Sequence, residues 1–168
     1  MFVYTLKLNT NLSHHHALEK RFRMADDIYQ KTLREILKRT RKRKKDPRYK
    51  RAYHLEKGAE RNAILKELDV DYELQGKFTF GKWANNYRNA RNYSPYIPSD
   101  VAVKLGIRAW EAYSRVKFVK GAKKIQLNQQ LLSFEASKDS GLIIRDGVFK
   151  MGTKQAKFEC PVKYKEDD

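Results

Sequence analysis

Cysteine is almost absent from this chain: Cys160 is the single one among 168 residues. One thiol excludes an internal disulfide and any cysteine-rich zinc site within the chain. Long apolar runs are missing too. None approaches the roughly 20 residues a membrane-spanning helix needs. The N-terminus has no basic segment leading into an apolar core, so no secretory signal is read there and a cytoplasmic location is expected. Neither GxGxxG nor a phosphate-binding GxxxxGK[ST] loop occurs, and no serine or cysteine nucleophile motif is found. There is no internal repeat and no long low-complexity segment. Acidic residues are the other shortage, with 20 Asp and Glu against 37 Lys and Arg.

What is present follows from that imbalance. The formal net charge is +17. Such an excess disfavours a compact state through self-repulsion unless a polyanion neutralises it. Nucleic acid is the expected polyanion; a membrane surface would call for a basic amphipathic helix with a bulky apolar face. Twenty aromatics, 10 Tyr, 8 Phe and 2 Trp, argue for a real core rather than disorder.

Periodicity divides the chain. Phe2, Tyr4, Leu6 and Leu8 alternate with Val3, Thr5 and Lys7, the pattern of a half-buried strand. Ser13 is a plausible cap for a long helix with the stripe Leu18, Phe22, Ala25, Tyr29, Leu33 and Ile36. No Gly or Pro interrupts it before Asp46-Pro47, which should end it near Lys45. A second helix is expected over 53–68 and a loop over the acidic stretch 67–73. A third helix is expected over 78–93 and a fourth from Ser99 to about Val119, with the stripe Val101, Leu105, Ala109, Ala112 and Val116. From Lys123 onward the pattern is β. Short segments at 125–127 and 131–136 precede a hairpin, 141–145 and 148–151, around Asp146-Gly147. Residues 156–162 alternate, with Ala156, Phe158 and Cys160 on one face.

A lone strand is unstable, so the N-terminal strand should pair with the C-terminal ones. The expected fold is α+β: a small antiparallel β-barrel interrupted by a helical insertion of about four helices. Residues 1–10 would give the first barrel strand, 11–121 the insertion and 122–168 the rest of the barrel.

Most chemistry-like clusters dissolve under geometry. Neighbouring helical residues point about 100° apart, so His14-His15-His16 cannot converge on one ion and Asp26-Asp27 cannot act as paired carboxylates. Asp167-Asp168 lies at the polar end, and His54 is remote. No metal or cofactor is expected. A compact metal nuclease using Asp26 or Asp146 stands as the enzymatic alternative.

Three basic constellations remain. Residues 38–51 hold ten Lys or Arg and one acid, Asp46. A like-charge run is often only a solvated segment, but this one projects from a strongly patterned helix, and Arg41, Lys42, Arg43 and Lys44 are its candidate phosphate contacts. Between 77 and 91, Arg88 and Arg91 are candidates for phosphate, the surrounding Asn residues could read base edges, and Tyr87 and Tyr93 could stack. For Trp83 and Tyr87 the stronger claim is as core residues of that amphipathic helix. The third constellation holds Arg115, Lys117, Lys120, Lys123 and Lys124 at the helix-to-sheet junction. The last four are further phosphate candidates.

Four stretches carry a family resemblance: FVYTLKLNTN from Phe2, LEKRFRMADDIYQKTLREILKR from Leu18, IPSDVAVKLGIRAWEAYSRVKFVKGAKKIQL from Ile97, and SFEASKDSGLIIRDGVFKMGTKQAKFECPV from Ser133. They resemble the start, first long helix, wedge-proximal helix and following hairpin of TnpB-like transposon-encoded nucleases, relatives of type V CRISPR effectors. The resemblance implies the non-catalytic half of a transposase-type RNA-guided DNA endonuclease: a wedge barrel and a recognition domain that hold guide RNA and target DNA. Its RuvC-like catalytic domain would then be missing here, or supplied as a separately encoded half. No catalytic residue carries over. A basic scaffold or regulatory protein binding structured RNA or an acidic partner is the other expectation.

Overall fold

The computed structural model describes residues 7–118, 125, 127, 131, 133, 135–136 and 141–163, with backbone alone at 117 and 118. The described residues hold five α-helices: α1 (Leu12–Lys45), α2 (Pro47–His54), α3 (Ala59–Asp71), α4 (Lys77–Ala90) and α5 (Ser99–Phe118). The strands are β1 (Lys7–Leu8), β2 (Leu142–Arg145), β3 (Val148–Met151) and β4 (Phe158–Lys163). None of the described helices is long and apolar enough to cross a membrane.

The 34-residue helix α1 is the spine, roughly 50 Å long at 1.5 Å per residue. Its cap is Asn11, not Ser13. The Asn11 side chain accepts from the His14 N–H at 2.8 Å, and His14 Nδ1 accepts from the Asn11 N–H at 3.3 Å. This is a capping box in which an imidazole takes the usual place of Glu or Gln. Ala25, Ile28, Leu33 and Ile36 are buried along the helix. Thr32 and Thr40 are buried with them because each hydroxyl donates to a carbonyl one turn back, Ile28 at 2.7 Å and Ile36 at 2.8 Å.

Asp46 ends α1 in an extended conformation (ψ 133°), as a residue before proline should, and the same residue caps α2 with Pro47 in its first turn. The proline therefore separates two helices rather than opening a loop. The helix expected over 53–68 is two pieces, split where Leu55 and Gly58 are extended. The second piece, α3, runs on through part of the acidic stretch expected to be a loop.

Helices α4 and α5 cross at van der Waals contact. A Cβ on Gly106 would lie 2.2 Å from the Phe80 carbonyl oxygen and 2.8 Å from Gly81 Cα. The two backbones meet because neither carries a side chain there. Phe80, Ala84, Leu105 and Ala109 fill the space beside them.

The four strands form one antiparallel sheet in the order β1-β4-β3-β2. The N-terminal strand does join the C-terminal strands, with Lys7 opposite Lys163 and Leu8 opposite Val162. Phe2, Tyr4 and Leu6 lie outside the described residues. Asp146 (φ 53°) and Gly147 (φ 71°) make the tight turn between β2 and β3, as Asp-Gly predicts. Phe158, Cys160 and Val162 alternate inward on β4, and Phe158 and Cys160 pack with Met151 against Ala25, Ile28, Ile97, Val101 and Leu105.

The expected barrel is not there. The sheet is open, with β1 and β2 as its two edges. Strands of two to six residues are too few and too short to curl onto themselves. One face is already closed by α1 and α5. The described positions of 125–136, expected to supply more strands, carry none. Among the described residues the fold is mostly helical, α+β, with five α-helices in place of about four.

Candidate nucleic-acid interface

The basic run 38–51 is two populations. Arg39 pairs with Glu35 at 2.8 Å and with Glu73. Arg43 pairs with Asp69 at 2.8 Å and donates to the Leu65 carbonyl at 3.2 Å. Arg48 grips Asp46 at 3.0 Å, Asp71 at 2.7 Å and Glu67 at 3.3 Å. Arg51 meets Glu60 at 3.3 Å, and Lys38 meets Glu35 at 4.0 Å. The acids of α3 and the turn after it thus neutralise much of the run and clamp α3 against the end of α1. The hydrogen bonds from Arg48 are the main cause that holds the Asp46 carboxyl down at about 2.

The remaining five, Arg41, Lys42, Lys44, Lys45 and Lys50, are exposed and have no ion pair among the described residues. Helical spacing arranges them. Lys38, Arg41, Lys42 and Lys45 fall at steps of three and four along one outer surface of α1. Lys44 lies beside them, over the gap between α1 and α5. Cations in the last turn also complement the helix dipole. That accounts for Lys42 to Lys45 but not for Arg41, a full turn inward, or Lys50 on the next helix.

Of the twelve residues expected to touch nucleic acid, Arg41, Lys42 and Lys44 are exposed and have no ion pair among the described residues. Arg91 is exposed as well, with its guanidinium 5.8 Å from the Tyr93 ring centre. Arg43 and Arg88 are turned inward and leave the set. Arg43 is 6% exposed and held by Asp69. Arg88 is 8% exposed and donates to the Ile97 carbonyl at 2.5 Å, Ser94 carbonyl at 3.3 Å, Asn85 Oδ1 at 2.9 Å and Asn89 Oδ1 at 2.8 Å. It pins the 91–98 connection to α4, and burial lowers its pKa. Asn85 and Asn89, thought able to read bases, are tied to it.

Tyr87 and Tyr93 are half-buried, and both hydroxyls donate to Asp27 Oδ2, at 2.9 and 3.1 Å. Tyr87 also stacks on Trp83 at 5.5 Å. Burial, then the hydrogen bond to Asp27, pushes the Tyr87 phenol up to about 12. The core role weighed for Trp83 and Tyr87 is thus the one the geometry favours. Lys120, Lys123 and Lys124 lie outside the described residues, as does the side chain of Lys117.

The histidine run separates as helical geometry requires. His14 faces Phe158 edge-on and lies 3.8 Å from Cys160 Sγ, His15 contacts Thr10, and His16 is exposed. Asp26 is bound by Gln30 at 3.4 Å, and Asp146 sits in the β2–β3 turn. Among the described residues, no three His, Cys, Asp or Glu side chains gather as metal ligands would.

Two grooves flank α5. The first, about 580 Å³, mixes Lys77, Lys104, Arg108 and Arg115 with Glu111 and Glu135. The second, also about 580 Å³, lies between the basic end of α1, α2 and the C-terminal part of α5. It has no acid in its lining. Sequence periodicity missed it, since its walls come from elements 70 residues apart.

Comparison with protein-family models, with curated proteins and with solved structures finds no match to this chain.

Proposed function

We propose that the protein binds nucleic acid through the phosphate backbone, with the C-terminal end of α1 as its principal contact surface. One observation carries the proposal. While Arg39, Arg43, Arg48 and Arg51 are held by acids, Arg41, Lys42, Lys44, Lys45 and Lys50 stand exposed on helices with no ion pair among the described residues. An ordinary solvated charge run would be neutralised by its neighbours or float on a loop. Here the paired half of the run builds the scaffold and the unpaired half faces water. Fixed, closely spaced cations release counterions from a phosphate chain, which yields affinity without sequence selectivity. The narrower reading is the guide-RNA-binding and target-DNA-binding half of an RNA-guided nuclease. It rests on the sequence resemblance alone, and the open sheet lacks the barrel that resemblance implied.

The test is the salt dependence of binding. Arg41, Lys42, Lys44 and Lys45 are changed together to Gln, and affinity for an arbitrary RNA is measured from low to physiological salt. The slope of log affinity against log salt should become shallower by about 3 units, since each lost phosphate contact removes roughly 0.7–0.9. Unrelated RNA sequences should weaken alike. An unchanged slope and affinity would return the run to a solvated surface. Stable capture of an acidic protein that persists after nuclease treatment would favour the scaffold reading.

A further inference from the structure

The groove at the basic end of α1 has two chemically distinct parts. Its wall is apolar and aromatic: Leu37 from α1, Tyr49 from α2, Tyr113 and Val116 from α5, and Ile125. Arg41 and Lys44 stand at its lining as exposed cations without partners. The one other charge there, Arg43, is committed to Asp69 and lies 5.1 Å from the Tyr49 ring centre. The cleft thus offers apolar wall within and positive charge at the rim. Its volume, about 580 Å³, falls in the range of small-ligand sites, roughly 300–1,000 Å³.

We infer that this groove receives an unpaired base of the bound strand while the flanking phosphates lie on Arg41 and Lys44. The inference rests on the nucleic-acid reading and sharpens it: the preferred ligand is a single strand, or a loop with splayed bases, rather than duplex. The argument is charge complementarity on two scales. The groove opens beside the cationic surface of Lys38, Arg41, Lys42 and Lys45, so a strand held there by phosphates passes its mouth. A base needs a flat apolar or aromatic surface, every base has a face to offer, and the one buried charge in the wall, Arg43, is already neutralised by Asp69. In a duplex the bases are stacked inward and cannot reach the wall.

The first measurement uses the unaltered full-length chain. A single-stranded oligonucleotide is compared with one of equal length whose central nucleotides are abasic, so that phosphates match and bases do not. The abasic strand should bind about five- to a hundredfold more weakly, the range found for loss of base stacking on protein aromatics. A duplex of the same length should gain nothing from its bases. In the second measurement Val116→Trp fills the groove from the half-buried Val116 position on α5. It should reduce single-strand affinity to the abasic level while leaving duplex affinity, the salt slope and the circular dichroism unchanged. Ile125→Trp approaches from the other side and should act alike. Equal binding of abasic and base-bearing strands would overturn the inference while leaving phosphate binding intact. Loss of all salt-dependent binding would instead remove the underlying nucleic-acid reading. An acidic amphipathic peptide that binds wild type but not Val116→Trp, with strand binding unaffected, would assign the groove to a peptide and also overturn it.

Discussion

An arginine's environment decides whether its charge is available, and Arg88 and Arg91 show this within one turn. Both follow aromatic and Asn residues in sequence, yet Arg91 is exposed and Arg88 is spent on four oxygen acceptors. Truncation of Arg88 to Ala strips two carbonyls and two amide oxygens of their donor. The expected cost is about 2–4 kcal/mol, given that each buried group left unsatisfied costs roughly 1–3 and that charged donors lie at the upper end. For a chain of this size that corresponds to a melting temperature lower by roughly 5–15 °C. The salt slope of RNA binding should not change, because the guanidinium faces inward. Arg91→Gln should do the reverse, with stability kept and the slope reduced by about one unit. Equal melting temperatures for Arg88→Ala and wild type would show that the 91–98 connection needs no pin. Sequence alone could not separate the two arginines. Two of the four acceptors of Arg88 are backbone carbonyls of a connection whose path depends on Pro95 and Pro98, and no side-chain pattern announces a carbonyl.

Among the secondary-structure elements, the junctions carry most of the specificity. Gly106 on α5 sits against the backbone of Phe80 and Gly81 on α4, where a methyl would overlap a carbonyl oxygen. Gly106→Ala gains about 1 kcal/mol of helix propensity, but forcing the helices apart costs about 1–3 kcal/mol or more, since an oxygen at 2.2 Å cannot yield as a side chain can. A lower melting temperature is expected, and an unchanged or higher one would show that the crossing relaxes freely. The α1–α2 junction makes a pH-dependent prediction. The Asp46 carboxyl is held at about 2, below its unfolded value near 3.8. A depressed carboxylate pKa stabilises above the unfolded value and is lost as pH falls through the folded one. The wild type should therefore melt higher than Asp46→Asn at neutral pH, and the gap should close between about pH 4 and pH 2. A gap that persists at pH 2 would trace the effect to shape rather than charge.

The elements themselves were largely legible. The long helix, its end at Asp46-Pro47, the α5 stripe, the Asp-Gly hairpin and the return of the first strand to the last all followed from period and turn chemistry. Two features did not. Apolar steps from Leu55 through Leu68 run across the Lys57-Gly58 break, and that continuity hid the split into α2 and α3. Strand closure depends on strand number and length across the whole sheet, which local alternation at Phe158 and Cys160 does not report. Similarly, the acids at Glu67, Asp69, Asp71 and Glu73 were visible as a stretch. Only their position in space, opposite Arg39, Arg43 and Arg48, shows that they take three cations out of the basic run.

For the whole molecule, a net charge of +17 sets two opposing responses to salt. In the free protein the exposed cations on α1 and α2 repel one another, and repulsion between exposed groups is screened as the Debye length falls from about 30 Å at 0.01 M to about 8 Å at 0.15 M. The ion pairs that hold α3 to α1 are screened less where they are sheltered: the Arg43 side chain is 8% exposed and its Asp69 partner 29%. The melting temperature of the free chain should therefore rise with salt over that range. Binding adds stability in proportion to the logarithm of ligand concentration over the dissociation constant, and that constant worsens steeply with salt. The complex with a single-stranded RNA should then melt highest at low salt and converge on the free protein as salt rises. The quadruple Gln variant of the α1 cations should show a shallower rise when free and a smaller stabilisation when bound, because the same four side chains cause both effects. Thermal melts across salt, with and without RNA, test this directly. A free chain that melts lower as salt rises would show that the ion pairs outweigh the repulsion. The unpaired cations would then impose no cost on the folded chain for a polyanion to relieve.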